Sequence, residues 1–125
     1  MTTQQAFSVY RKNQVETASP VQLVLLLYDA AVRHCHAAQA AMQQRSRDKV
    51  DHHLVKSQEI LLELMGALNF EKGGEIAHRL LSLYQYIYRK LVYGKVHQDA
   101  SAVQEAVQLL SGLREAWAQL AVAKV

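Results

Sequence analysis

The side chains best suited to chemistry in this chain are six histidines and one cysteine. His34, Cys35 and His36 are consecutive, and positions one and two apart on a helix point to different sides, so they do not converge on one metal ion. No His-x-x-x-His or Glu-x-x-His pattern of the kind that di-metal bundles use occurs with a credible partner, and no metal site is expected. His53 and Lys56 form a His-x-x-Lys pair on one helix face. An exposed imidazole beside a lysine that steadies phosphoryl oxygens is what a histidine phosphotransfer domain needs, and this stands as the alternative function. The small glycine usual after that lysine is replaced by Ser57, and residues three apart recur by chance, so a solvated face is the favoured reading. Cys35 has no cation-rich helix start beside it to lower its pKa and reads as a packing residue. No Gly-rich phosphate loop, nucleophile elbow or paired-carboxylate cleft can be assigned, so neither enzymatic activity nor a cofactor is expected.

The elements that hold these residues are helical. The chain has 125 residues and 14.1 kDa, enough for one core. Half of the residues are hydrophobic and only six are Gly or Pro, which disfavours disorder and turn-rich β folds. The single cysteine cannot form an internal disulfide and the start lacks a secretory-leader pattern, so a cytoplasmic protein is expected. The net charge of +3 comes from 14 basic and 11 acidic residues that are interspersed. Duplex binding needs clustered cations, and the densest group, Arg45, Arg47 and Lys49, reads as an interhelix turn; no nucleic-acid partner is expected. The longest apolar run, Leu23 to Tyr28, is far short of the about 20 residues of a membrane span.

Residues 1 to 18 read as a polar arm with isolated Phe7, Tyr10 and Val15. Residues 19 to 125 read as a bundle. Ser19, Pro20 and Gln22 form a capping-box start for a first helix that reaches about Gln43. A second helix starts near Asp48, carries Val50, Leu54, Ser57, Leu61, Leu64 and Leu68, and ends at Asn69. Asn69 to Gly74 breaks the pattern, after which Ile76, Leu80, Leu83, Ile87 and Leu91 mark the core face of a third helix ending near Val96. Asp99 or Ser101 caps a fourth, with Val103, Val107, Leu110, Leu113, Trp117 and Leu120 on one stripe. The fold class is all-α, an antiparallel up-down four-helix bundle with an N-terminal arm.

The apolar residues exceed what one core stripe per helix requires. Leu81, Tyr84, Tyr88 and Val92 form a second line on the third helix, while Tyr86 and Tyr93 fall on a face with Arg79 and Lys90 and are expected to be exposed. Val55, Leu62 and Leu109 are further extras, and Val21 to Tyr28 is apolar almost all round. Wide arcs can pack deeper in a small bundle, but contiguous apolar surface rimmed by polar groups marks a partner groove. Leu27, Tyr28, Val55, Leu62, Leu81, Tyr84, Tyr88 and Leu109 are the candidate contacts, with Phe7 and Tyr10 of the arm as a cover.

These residues together resemble the FliS family of flagellin export chaperones. The resemblance rests on Tyr10, Thr17-Ala18-Ser19-Pro20 with Gln22-Leu23, Leu27-Tyr28-Asp29, Lys56 and Ile60 with Glu63-Leu64, Gly73-Gly74-Glu75-Ile76-Ala77, Leu80 with Leu83-Tyr84 and Tyr86, and Leu113-Arg114-Glu115-Ala116-Trp117. It departs at Ala30, where the family commonly has Gly, at Ser57, often Ala, and at Tyr93-Gly94, often Ala-Asn. The resemblance implies a cytosolic bundle that binds the C-terminal segment of flagellin, keeps it from premature polymerisation and delivers it to the cytoplasmic domain of the flagellar type III export gate. It also implies that the arm, at Phe7 and Tyr10, occupies part of the hydrophobic surface until the client arrives and matters for the export gate; the alternative is that the arm, at these residues, binds the partner directly.

Overall fold

The structure is a computed structural model that describes residues 20 to 123, with side chains to residue 120. Four helices follow in order: α1 (Pro20–Gln43), α2 (Arg47–Gly66), α3 (Phe70–His97) and α4 (Ala100–Ala123). The arm, with Phe7, Tyr10 and the Ser19 cap, lies outside the described residues. Each helix packs on its neighbours in sequence and α1 also packs on α4, so the four close into a ring.

Interhelix pairs show that neighbours run antiparallel. Between α1 and α4, Gln39 bonds Gln104 and Asp29 bonds Arg114, so rising numbers on one helix meet falling numbers on the other. Between α1 and α2, His34 meets His53 while the Ser57 hydroxyl donates to the Ala31 carbonyl. Tyr86 and Lys90 of α3 both reach Glu105 of α4. Connections of two or three residues leave no other arrangement for adjacent helices.

Local chemistry explains the boundaries. The second helix ends at Gly66 rather than Asn69, because Asn69 caps the next helix: its side chain accepts from the Lys72 amide at 2.9 Å. After one turn the backbone breaks at Gly74, whose φ of 51° and ψ of −127° suit glycine alone, and the main run of α3 follows. Asp99, not Ser101, caps α4, accepting from the amides of Ser101 at 2.9 Å and Ala102 at 3.3 Å. At the other side of that turn Gly94 is buried. A Cβ there would sit 2.7 Å from Val103 Cγ2, so the missing side chain is what lets α3 and α4 approach.

The core runs through Leu54, Leu61, Ile87, Leu91, Val103 and Leu110, all fully buried, each contributing about 1.5 to 3 kcal/mol of transfer free energy. Two stripe residues depart from expectation. Ile76 is 69% exposed and Leu120 half exposed, because both lie where the outer ends of α3 and α4 leave the core uncovered. Tyr86 is half-buried rather than exposed, held by its hydroxyl donating to Glu105, whereas Tyr93 is exposed.

Candidate partner-binding surface

Apolar surface is distributed unevenly along the bundle. The antiparallel pairings bring the start of α1, the end of α2, the start of α3 and the end of α4 to one end. In α1 the half away from that end is built on small side chains: Ala31, Cys35, Ala38 and Ala41 are all buried, so α2 and α4 come close. The other half carries Val21 and Leu23 to Leu26, and all of these stay half-buried. Leu62, Phe70, Ile76 and Leu120 are exposed around the same end.

Helix registers sort the candidate contacts into two seams. On α2, His53 and Ser57 face α1, so Val55 and Leu62 lie on the far side, toward α3. On α3, Tyr86 and Lys90 face α4, so Leu81 and Tyr88 lie on the far side, toward α2. Val55 is 36% and Leu62 53% exposed, while Leu81 and Tyr88 are half-buried. These four therefore share the α2–α3 seam. Gln58 sits between Val55 and Leu62 on the same side, buried, and its amide oxygen has no hydrogen-bond partner among the described residues. Leu109 follows Glu105 by one turn and faces the other seam, between α3 and α4, with Leu113 and Leu120 near the same face.

The remaining candidates are corrected from surface to core. Leu27 is buried, Tyr28 is 0% and Tyr84 2% exposed. Their phenols meet across the bundle at 2.5 Å, and the Trp117 indole donates to the Tyr28 oxygen at 3.1 Å. A hydroxyl that would be costly to bury alone is satisfied here by two partners from two other helices. Burial pushes both tyrosines above the usual phenol range, so the network stays neutral. It forms the floor beneath the half-covered leucines. Sequence reading took Trp117 as a core residue and missed its role as a polar tie, which only the third dimension reveals.

On the α1–α4 side the surface mixes charged and apolar groups. An open cleft of about 650 Å³ is lined by Asp29, Val32, Arg33, Ser111, Arg114 and others, and Arg114 grips Asp29 through two bonds of 2.8 and 3.3 Å. The phosphotransfer alternative finds no support: the His53 Nδ1 is engaged with His34 Nδ1 at 3.0 Å, and Lys56 pairs with Glu59 at 3.8 Å. No described helix is long and apolar enough to cross a membrane.

The family model for the flagellar protein FliS matches residues 2 to 124. Among curated relatives, the flagellar secretion chaperone FliS of Campylobacter jejuni is 30% identical over 115 residues, covering 92% of this chain and 90% of the relative. The FliS of Bacillus subtilis is 29% identical over 119 residues, covering 95% and 88%. That of Salmonella typhimurium is 36% identical over 110 residues, covering 87% and 82%.

Proposed function

The chain belongs to the FliS family of flagellar secretion chaperones, and from that premise we propose that it binds the C-terminal segment of flagellin in the cytoplasm and hands it to the cytoplasmic domain of the export gate. The observation that carries this reading is the exposed Leu62, Phe70 and Ile76 of α2 and α3, which continue the half-buried Leu81 and Tyr88 along one seam. A segment that becomes helical only inside the filament is adhesive beforehand, and an amphipathic helix laid in a groove hides its apolar face.

The proposed contacts are Val55, Leu62, Leu81 and Tyr88 along one seam and Leu109 along the other, with Leu27, Tyr28 and Tyr84 supporting them from beneath. The proposed role of Phe7 and Tyr10 is to compete with the client for this surface, lowering apparent affinity by the fraction of time they occupy it, with direct contact to the client as the alternative. The chaperone performs no catalysis and uses no cofactor in this scheme.

The test is co-expression. Full-length flagellin is expected to stay soluble and monomeric with this chain, and flagellin lacking its C-terminal segment is expected not to associate. Leu62→Asp, at an exposed site, should leave the melting temperature nearly unchanged and weaken binding of a tail peptide at least about tenfold, the scale of one lost apolar anchor. Association of the truncated flagellin with undiminished affinity would refute the proposal.

A further inference from the structure

His34 on α1 and His53 on α2 are nineteen positions apart, yet their Nδ1 atoms lie 3.0 Å from each other, with ring centroids 5.3 Å apart and planes inclined by 35°. One ring donates its Nδ1 proton and the other accepts with a lone pair, so the two nitrogens face each other along the line that joins them. We propose that His34 and His53 form a two-histidine chelate for a divalent transition ion of the zinc, nickel or copper class, clipping α1 to α2.

The distance carries the argument. With metal–nitrogen bonds of about 2.0 to 2.1 Å, two imidazoles on one ion stand about 2.9 Å apart at a right angle and about 3.3 Å apart at a tetrahedral angle. The observed separation falls between these, so an ion can bridge the two nitrogens from beside the line that joins them once each ring turns by about 35 to 45° to aim its lone pair at it. The shared Nδ1 proton moves to the Nε2 of the same ring, leaving both imidazoles neutral. Imidazole nitrogen suits these ions, whereas magnesium and calcium demand oxygen. No third His, Cys, Asp or Glu joins the pair among the described residues, so solvent completes the coordination and the site is one of modest affinity.

Burial and the neighbouring His53, Arg33, His52 and Lys56 push the His34 pKa down to about 4, and burial with His52 and Lys49 lowers that of His53. Protons therefore do not compete near neutral pH. The same cations oppose a dication, which selects for ions that bind imidazole covalently enough to overcome the field. Of the other described histidines, His52 stands edge-on to His53 with ring centroids 5.1 Å apart, while His36 pairs with Gln39, His78 lies against Phe70 and His97 against Tyr93.

The experiment uses the tag-free full chain, stripped with chelator and titrated with zinc chloride by calorimetry. One equivalent is expected to bind, with the melting temperature raised by a few degrees at about 100 μM zinc. Long-range proton–nitrogen spectra should show the Nδ1 resonances of His34 and His53 moving together. His34→Gln and His53→Gln should each weaken binding at least about tenfold, while His78→Gln and His97→Gln leave it unchanged. Because His53 is only half-buried at the edge of the α1–α2 seam, its variant remains decisive if the His34 variant folds poorly. Saturable binding that survives His53→Gln, or no binding at about 1 mM zinc, would overturn the site.

Discussion

Replacing Tyr28 by Phe removes one oxygen atom and changes the shape of the core very little, so its cost isolates the polar tie. Two hydrogen bonds disappear, to the Tyr84 hydroxyl and from the Trp117 indole. Tyr84 is 2% exposed and its hydroxyl has no other partner among the described residues, so it is left buried and unpaired at about 1 to 3 kcal/mol. The Trp117 nitrogen is on a half-buried residue and regains water, losing about 0.5 to 1 kcal/mol. The expected total is about 2 to 4 kcal/mol, a large share of the about 5 to 15 kcal/mol that holds a small domain together. Tyr84→Phe is milder, about 0.5 to 1.5 kcal/mol, because Tyr28 keeps the indole. The double variant should cost less than the two singles added, since no hydroxyl is then orphaned. Urea unfolding reads this directly, followed by helical circular dichroism and by the fluorescence of Trp117, the only tryptophan in the sequence. The losses should not change between about pH 6 and 9, because both phenols stay protonated. A Tyr28→Phe variant within about 0.5 kcal/mol of the parent, or strict additivity, would refute the network.

Two further outcomes test the turn between α3 and α4. Gly94→Ala should destabilise by about 1 to 3 kcal/mol, because the new methyl meets Val103 Cγ2 at 2.7 Å and the Asp99 carbonyl at 3.3 Å; an unchanged urea midpoint would mean the helices need not approach so closely. The Asp99 carboxyl is held below its usual range by the Ser101 hydroxyl and the Ala102 amide, so it titrates lower in the folded state than in the unfolded one. Its contribution is therefore complete above the unfolded value of 3.8 and lost as pH falls through the lower, folded value. Asp99→Asn, which retains a capping oxygen without the charge, should flatten this part of the acid melting profile, and a profile identical to the parent's would contradict the assignment.

Helix starts were largely legible because each rests on local chemistry: Pro20 opens α1, Asp99 caps α4 and Gly74 breaks the backbone, whereas Asn69, read as the end of α2, instead caps α3. The second line of apolar residues on the third helix was also legible, as was the excess at Val55 and Leu62. What the sequence could not assign was depth. Tyr84 and Tyr88 are one turn apart on the same line, yet Tyr84 enters the core and Tyr88 stays half-buried, because the hydroxyl partner that makes burial affordable sits 56 residues away. Ile76 continues a core stripe by spacing but outruns the helices that would cover it. Leu109 and Leu62 read alike as surplus leucines, and only the ring order of the helices separates them into different seams.

The uneven filling of α1 explains why a chaperone would leave stability unrealised. Alanines let one half of the bundle close tightly, so that half can carry most of the folding free energy without large side chains at the contact. The leucine-rich half could close in the same way only by giving up its apolar surface. Kept half-covered, it leaves apolar area at the end of the bundle where the proposed contact Leu62 is exposed, and Tyr28 of the same helix is tied to Tyr84 and Trp117. Ordering a flexible tail consumes much of what that burial returns, so the complex is limited in strength. Limited strength is what delivery at an export gate requires, because a client buried as completely as Leu54 or Ile87 could leave only by unfolding the carrier.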